Sequence, residues 1–391
     1  MKEKESALFS RYIIDGVQCD TTPCEMLEEC MAEAMEFNTK EEEFKDIVDE
    51  STDPPLSSFT YSNEENGKYT GMVAEYSGMR HFRMLYPDTF TRQRVAGALI
   101  ERLWNKGHYR LGDLNLWAEW KWNSRPLGNM SAFYFSAQAA SEYIYDLGCR
   151  LADFSYDGCD EESTLCVGAW LPERVASEEG DAPEDSAFIK ASPYESRHPW
   201  IEDERQCPEH LVDDPDSQLI YIPFETASFK LGGSLLAELH GHNGGTGPVI
   251  HDPDYFIDCY EVVRELVEDG IVMAGASVGD GGLAKAVAGM CGDTAGNERE
   301  GANGTKVGIS LNLNGIISSY MEEDTTRILF SEIPGVLIQI SNMNMDYLDS
   351  QLILQDVAYY PLGSPSGGVK GMTLENKQNL TIANILTSLI Q

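Results

Sequence analysis

The sequence predicts an α+β fold that is divided between two domains. Strand and helix patterns alternate along most of the chain, and an acidic stretch with few apolar positions separates them into two groups. The length of 391 residues fits two domains, because one domain commonly takes about 100–200 residues. The hydrophobic fraction of 42% is enough for ordinary cores, so we expect mixed sheets covered by helices.

The first segment, residues 1–68, is acidic and weakly patterned, and we interpret it as an N-terminal extension or a degenerate lobe. Within it, residues 24–37 have the apolar spacing of an amphipathic helix. Asp53-Pro54-Pro55 would end any helix, because proline has no backbone N–H to donate and its ring clashes with the preceding turn.

A first domain is predicted at residues 69–172. In its strand at 114–122, every second side chain is apolar, and Trp117 places a large apolar group on the opposite face. A strand that is apolar on both faces is central in its sheet or meets a partner chain. The other elements predicted here are strands at 69–76 and 164–171 and helices at 91–105 and 131–147.

Residues 173–218 are rich in Glu, Asp and Pro, and we predict that they form an acidic linker or insertion. Their few apolar side chains cannot offset the entropy of ordering the backbone, which is about 1–2 kcal/mol per residue. We therefore expect this segment to be mostly loop.

A second domain is predicted at residues 219–363. Its predicted elements are strands at 219–223, 271–275, 307–313, 335–341 and 357–362 and helices at 254–269, 281–291 and 345–356. The tail at 364–391 opens on Pro365-Ser366-Gly367-Gly368, which predicts a flexible joint. The apolar spacing that follows predicts a tail helix that docks on another surface.

The net charge of −37 excludes nucleic acid and anionic membrane as partners, because proteins bind both with clustered Lys and Arg. No apolar stretch reaches the length of about 18 residues that a membrane-spanning helix needs. The N-terminal residues have no signal-peptide pattern, so the expected compartment is the cytoplasm. The nine cysteines include no CxxC pair and are expected to be reduced thiols.

Two glycine turns are candidates for a nucleotide site. Gly232-Gly233-Ser234 and Asp280-Gly281-Gly282 each stand between a predicted strand and a predicted helix. Glycine lets the backbone approach a ligand, and the free N–H groups at a helix N-terminus attract phosphate. Asp280 is the candidate ligand of magnesium or of a ribose hydroxyl, or else the N-cap of the helix that follows. The Gly232 turn is either a ligand contact or only a tight connection.

Three stretches resemble a known family. They are Phe229-Lys230-Leu231-Gly232-Gly233-Ser234-Leu235, the segment 269–283 that ends in Asp280-Gly281-Gly282-Leu283, and Ile328-Leu329-Phe330-Ser331-Glu332-Ile333-Pro334-Gly335. In this order and spacing they resemble the C-terminal domain of the aminoimidazole ribonucleotide synthase superfamily, closest to the second half of phosphoribosylformylglycinamidine synthase. The strand at 114–122, with the helix after it, is similar to a unit of that family's N-terminal domain.

The resemblance implies a two-domain architecture and an ATP-dependent ligase of purine biosynthesis. In that family ATP activates the formamide oxygen of a ribonucleotide, and ammonia then displaces phosphate. The implied cofactors are ATP and magnesium, and the implied ligand is a nucleotide or ribonucleotide. The family's active site is shared between halves, so this chain would be a half-unit that needs a second copy or a related synthase half. Glu332 would lie in the substrate cleft, although a surface glutamate at a strand entry is the alternative.

The sequence also departs from the family pattern. Ala276 and Ser277 stand where the family has His-Asp, and Gly279 stands where it has Ser. Phosphoryl transfer needs cations or a metal to stabilise the developing charge. Because the sequence lacks these residues of the family pattern, we identify no catalytic residue. The alternative function is therefore a catalytically inactive structural or regulatory homologue that keeps the fold and a nucleotide site.

Overall fold

A computed structural model describes residues 7–31, 84–170, 205–241, 245–292, 307–367 and 371–375. The predicted strand at 69–76, most of the acidic segment 173–218 and the tail helix lie outside the described residues. The α+β class is confirmed, because the described residues combine helices with four separate sheets. Within the described residues no helix is both long enough and apolar enough to cross a membrane.

The N-terminal part of the fold is a small hairpin followed by a short helix. Strands β1 (Ile13–Ile14) and β2 (Val17–Gln18) pair antiparallel. Helix α1 (Pro23–Glu29) begins at a capping box, in which Thr22 and Glu25 exchange side-chain and backbone hydrogen bonds. The helix predicted at 24–37 therefore begins at Pro23, and its described part ends at Glu29.

A three-stranded sheet forms the core of the first half. Strand β3 (Asn115–Trp122) lies between β4 (Arg150–Gly158), to which it is parallel, and β5 (Thr164–Trp170), to which it is antiparallel. Of the two predicted alternatives for β3, the structure shows the central strand. Sequence analysis missed β4, because polar side chains alternate along it and its apolar face is short. These polar residues are Asp153, Ser155 and Asp157.

Two helices cover the apolar face of this sheet. They are α2 (Pro87–Ile100) and α3 (Asn129–Asp146), and they pack against each other. The helix predicted at 91–105 starts earlier, at Pro87, because proline is favoured in the first helical turn. It continues beyond Ile100 as a 3₁₀ turn, Glu101–Trp104. On the sheet side, Trp120 meets the edge of Phe133 with ring centroids 6.0 Å apart.

The second half is organised around a four-stranded antiparallel sheet. Its order is β10 (Tyr360–Gly363), β6 (Ser217–Pro223), β9 (Gly335–Ser341) and β7 (Val272–Val278). The strand predicted at 271–275 is longer and reaches Val278, and β6 begins at Ser217, inside the predicted acidic segment.

Both faces of this sheet are buried, each in a different core. Two helices follow strand β6, the short α4 (Leu235–Leu239) and the longer α5 (Pro253–Glu268). Ile220 and Ile338 point to the core that contains the first half and helix α5. Leu219 and Leu337 point to the second core, with helix α6 (Gly282–Met290). Helices α5 and α6 therefore lie on opposite faces of this sheet, and the sheet joins the two cores.

The second core is closed by a three-stranded sheet and two further helices. The strands are β8 (Gly308–Leu311), β11 (Pro365–Ser366) and β12 (Met372–Leu374), and the helices on this side are α7 (Asn314–Tyr320) and α8 (Thr325–Phe330). Helix α9 (Met345–Leu354) instead packs beside α5, with Leu348 and Leu352 in the first core. The first two residues of the flexible joint predicted at 365–368 form a strand instead, because Pro365 and Ser366 pair antiparallel with β8. Buried Ile309 explains the pairing, since the backbone edges of a buried strand need partners.

Candidate functional site

A cleft of about 410 Å³ lies where the first half meets the second. One wall comes from α2 and β5, and the other comes from the end of β7 and the start of α6. The charged and polar side chains that line it are Gln93, Arg94, Glu101, Arg205, Glu209, Ser277, Asp280, Lys285 and Glu332. Asp280 and Glu332, two of the residues singled out in the sequence, therefore line one cavity.

Glu332 connects the two glycine turns. One oxygen of its carboxylate accepts hydrogen bonds of 2.8 Å from the backbone N–H groups of Leu235 and Gly281. The residue is 2% exposed, so the predicted alternative of a surface glutamate does not hold. Its backbone carbonyl accepts a hydrogen bond of 2.8 Å from the Gln93 side chain, which ties the segment to α2.

This arrangement places a negative charge where two helices begin. Leu235 is the first residue of α4, and Gly281 is the N-cap of α6. The N–H groups at a helix start carry partial positive charge and favour an anion. In this chain the carboxylate of Glu332 supplies that anion, so these two N–H groups are engaged within the protein.

The glycines of the turns are also required by close packing. Gly282 has φ of +64°, and a Cβ placed on it would lie 2.7 Å from the carbonyl oxygens of Leu329 and Ser331. A Cβ on Gly232 would lie 2.5 Å from the backbone of Thr246. Any other residue at these two positions would displace backbone atoms. Close packing of the turns is therefore enough to require glycine at both positions, without a ligand contact.

The turn around Gly233 packs against an aromatic ring. Gly233 has φ of +74°, and a Cβ there would lie 2.7 Å from the ring of Tyr86. The Tyr86 hydroxyl donates to the Gly245 carbonyl at 2.6 Å, and burial raises the pKa of this phenol, so it stays a donor. Ser234 is the N-cap of α4, since its hydroxyl accepts from the N–H of Ala237.

Asp280 faces the first half rather than the helix that follows it. Its carboxylate oxygen accepts from the guanidinium of Arg94 at 2.8 Å, and the two side chains are 20% and 18% exposed. The N-cap of α6 is Gly281, so the predicted capping role of Asp280 is wrong. Glycine takes the cap because the backbone there has φ of +82°. The Arg94 guanidinium also lies 4.5 Å from the centre of the Phe90 ring.

The end of β7, where the sequence lacks the family's His-Asp, is filled by an indole. The Trp104 Nε1–H donates to the hydroxyl of Ser277 at 2.8 Å. A Cβ on Gly275 would lie 2.2 Å from the same ring, which is fully buried. Arg205 lies over the ring at 5.7 Å and donates to the Gly275 carbonyl at 2.6 Å. This corner of the cleft is therefore closely packed.

Gln93, Arg94, Arg205 and Lys285 were missed in the sequence. Lys and Arg number 28 against 65 Asp and Glu, so the run Arg92-Gln93-Arg94 is unusual in this chain. That contrast was the available signal for a cationic wall. Among the described residues no group of three His, Cys, Asp or Glu side chains could hold a metal ion.

The sequence was compared with protein-family models and curated proteins. No family model matches it. It is 28% identical over 283 residues to "Probable phosphoribosylformylglycinamidine synthase, chloroplastic/mitochondrial" of Arabidopsis thaliana, covering 72% of this chain and 18% of that protein. It is 21% identical over 328 residues to phosphoribosylformylglycinamidine synthase of Drosophila melanogaster, covering 80% of this chain and 22% of that protein. The chain thus spans about a fifth of the length of these curated relatives.

Among solved structures, the fold is similar to that of T. maritima PurL complexed with FGAR. The TM-score is 0.51, and the alignment covers 79% of this chain and 45% of that chain. The sequence identity is 12%, so this similarity concerns the fold.

Proposed function

Because the chain has the fold of the aminoimidazole ribonucleotide synthase superfamily and is similar in sequence to phosphoribosylformylglycinamidine synthases, we propose that it is a half-unit or subunit of such a synthase. It would take part in the ATP-dependent amidation of a formamide ribonucleotide in purine biosynthesis. The chain spans a fifth of its curated relatives, so the proposal assigns it one part of the site and not the whole reaction.

The observation that carries this proposal is the cleft that Asp280 and Glu332 both line. Glu332 connects the two glycine turns, and Asp280 accepts a hydrogen bond from Arg94 in the cleft wall. Its volume of about 410 Å³ falls within the range of small-molecule sites, about 300–1,000 Å³. A relative with the same fold has been solved with FGAR, which supports a ribonucleotide as the ligand class.

We propose that the phosphates of the ligand lie near Gly281-Gly282 and Gly232-Gly233-Ser234, with Asp280 as the nearest acid. Glu332 would not contact the phosphates but would hold both turns in place through its carboxylate. Asp280 is the residue that would hold magnesium. A magnesium ion with one carboxylate ligand is completed by water and phosphate oxygens, so it would arrive with the nucleotide rather than occupy a protein cage.

The proposed partner is a second copy of this chain or a related synthase half, in the cytoplasm. The cleft presents Arg94 and Lys285 but no His-Asp pair at Ala276 and Ser277. A partner would therefore supply groups that stabilise the charge of phosphoryl transfer.

A second candidate function is favoured by the filled end of β7. Trp104 donates to Ser277, and Arg205 covers the indole, so a ligand group would have to displace packed side chains there. In this case the chain is a catalytically inactive structural or regulatory homologue that keeps nucleotide binding.

Calorimetric titration of the full chain with ATP and magnesium, followed by an amidation assay, separates the two functions. For the half-unit, we expect micromolar to millimolar binding, little turnover alone, and turnover when the partner half is added. For the inactive homologue, we expect binding without turnover in any mixture. If the chain binds no nucleotide at millimolar concentration, both are wrong.

A further inference from the structure

We propose that Arg94 is the residue that binds the phosphate group of the cleft ligand, and that Asp280 is a built-in carboxylate that competes with this phosphate. The inference rests on the proposed function in one respect: the cleft must bind a phosphorylated ligand. It adds that the first half of the chain supplies the cation, and that binding does not depend on a divalent metal.

The first step is the position of Arg94. It stands on α2, in the wall of the cleft that faces the turn at Asp280. Its guanidinium rests against the Phe90 ring, which fixes the plane of the group. The Nε atom is buried and has no hydrogen-bond partner. A buried donor without an acceptor is unfavourable, so a phosphate oxygen that reached Nε would remove this cost.

The second step is the chemistry of the pair. A guanidinium binds a phosphate as it binds a carboxylate, through parallel N–H donors. The Asp280 carboxylate already accepts from one Nη atom at 2.8 Å. A phosphate that takes this donor must replace Asp280, so the apparent affinity for phosphate contains the cost of breaking the internal pair.

The third step is the electrostatic setting. The protein carries a net charge of −37, and Glu101 and Glu209 also line the cleft. A free anion is therefore repelled until it reaches a local cation. Without the Asp280 charge, Arg94 and Lys285 would face one fewer carboxylate. A bound anion would then accept from the Arg94 N–H group that Asp280 now engages, and the cavity around it would be less negative.

The test uses the full chain, with inorganic pyrophosphate and AMP as probes in buffer that contains EDTA. The variants are Arg94→Gln, Arg94→Lys and Asp280→Asn, and isothermal titration calorimetry measures Kd. A matched control is the exposed pair Arg125 and Asp160, which also lies at 2.8 Å but stands outside the cleft. Arg125→Gln and Asp160→Asn change the net charge by the same amounts as the cleft variants.

Asp280→Asn is expected to tighten pyrophosphate and AMP binding by about fivefold or more relative to Asp160→Asn. Arg94→Gln is expected to weaken it by about tenfold or more, and Arg94→Lys by less. Unchanged binding in Arg94→Gln, or weaker binding in Asp280→Asn, would overturn the inference. Circular dichroism checks folding, and if Arg94→Gln does not fold, Arg94→Lys and Asp280→Asn decide.

The same titrations keep the inference separate from the proposed function. If neither wild type nor Asp280→Asn binds pyrophosphate, AMP or ATP with magnesium, the cleft does not take phosphorylated ligands and both fail. If ATP with magnesium binds equally well to wild type and Arg94→Gln, the proposed function stands and the role of Arg94 is overturned.

Discussion

Glu332 accepts a hydrogen bond of 2.8 Å from the backbone N–H of Gly281, so the start of helix α6 is neutralised by a carboxylate of the same chain. The same oxygen accepts from Leu235, and the residue is almost fully buried. The two candidate phosphate-binding turns are thus held together by an internal anion, and the stability of the cleft depends on it.

Glu332→Ala is expected to lower the free energy of unfolding by about 2–6 kcal/mol, because it leaves the N–H groups of Leu235 and Gly281 without a partner and each such buried donor costs about 1–3 kcal/mol. Urea denaturation measures this change. Glu332→Gln keeps an acceptor of the same shape and should cost less. Glu29, an exposed residue on α1, is the control, and Glu29→Ala should stay within about 0.5 kcal/mol of wild type. Equal losses in Glu332→Ala and Glu29→Ala would contradict the role of Glu332.

Two glycines on helix α6 should respond oppositely to alanine. Gly282→Ala forces a Cβ to within 2.7 Å of the Leu329 and Ser331 carbonyls at φ of +64°, and the backbone strain alone costs about 1–2 kcal/mol. A Cβ added at Gly289 would meet no atom beyond its own part of the helix within 4 Å, so Gly289→Ala should stabilise by about 0.5–1 kcal/mol. Thermal unfolding of both variants checks this, and a stabilised Gly282→Ala would show that the turn has more room than these distances allow.

The fold and the site were predictable to different extents. Helices α5 and α6 and strand β3 were predicted because their apolar side chains repeat with the period of the element. Strand β4 was missed because its conformation depends on its pairing with β3 and is not indicated by the order of apolar and polar residues along it. Pairing between distant segments is not encoded in local periodicity.

The same limit applies to the cleft. Asp280 and Glu332 were found because each stands in a short motif. Arg94 lies 186 positions before Asp280, and Gln93 lies 239 positions before Glu332. The sequence does not show that α2 packs against the end of β7, so the partners of the two acids, and therefore their roles, required the structure.

Stability should fall at alkaline pH through Cys149. Burial raises the pKa of this thiol to about 12, whereas an unfolded cysteine titrates near 8.5. The folded state binds the proton more tightly, so this contribution is complete below about pH 8.5 and is lost as the pH rises towards 12. The loss is about 1.4 kcal/mol per pH unit between these limits.

Urea denaturation of wild type and Cys149→Ala between pH 9 and about 11 isolates this contribution. The alanine variant should be less stable at neutral pH, but its free energy of unfolding should fall less steeply as the pH rises. Parallel pH profiles would mean that the Cys149 thiol ionises in the folded protein as readily as in the unfolded chain.

The last prediction concerns Asp280 and the choice between metal-bound and metal-free ligands. If Asp280 holds magnesium, Asp280→Asn removes the protein's ligand to the ion, and binding of ATP with magnesium should weaken by about tenfold or more. The same variant should bind metal-free pyrophosphate more tightly, because Arg94 loses its charged internal partner. The melting temperature should change little, because the side-chain amide oxygen that Asp280→Asn introduces can still accept from the Arg94 guanidinium. Titration of one variant with two ligands therefore gives shifts of opposite sign, which a general loss of structure cannot produce. Weaker binding of both ligands would leave Asp280 as a residue that shapes the cleft, and tighter binding of both would exclude it as the magnesium ligand.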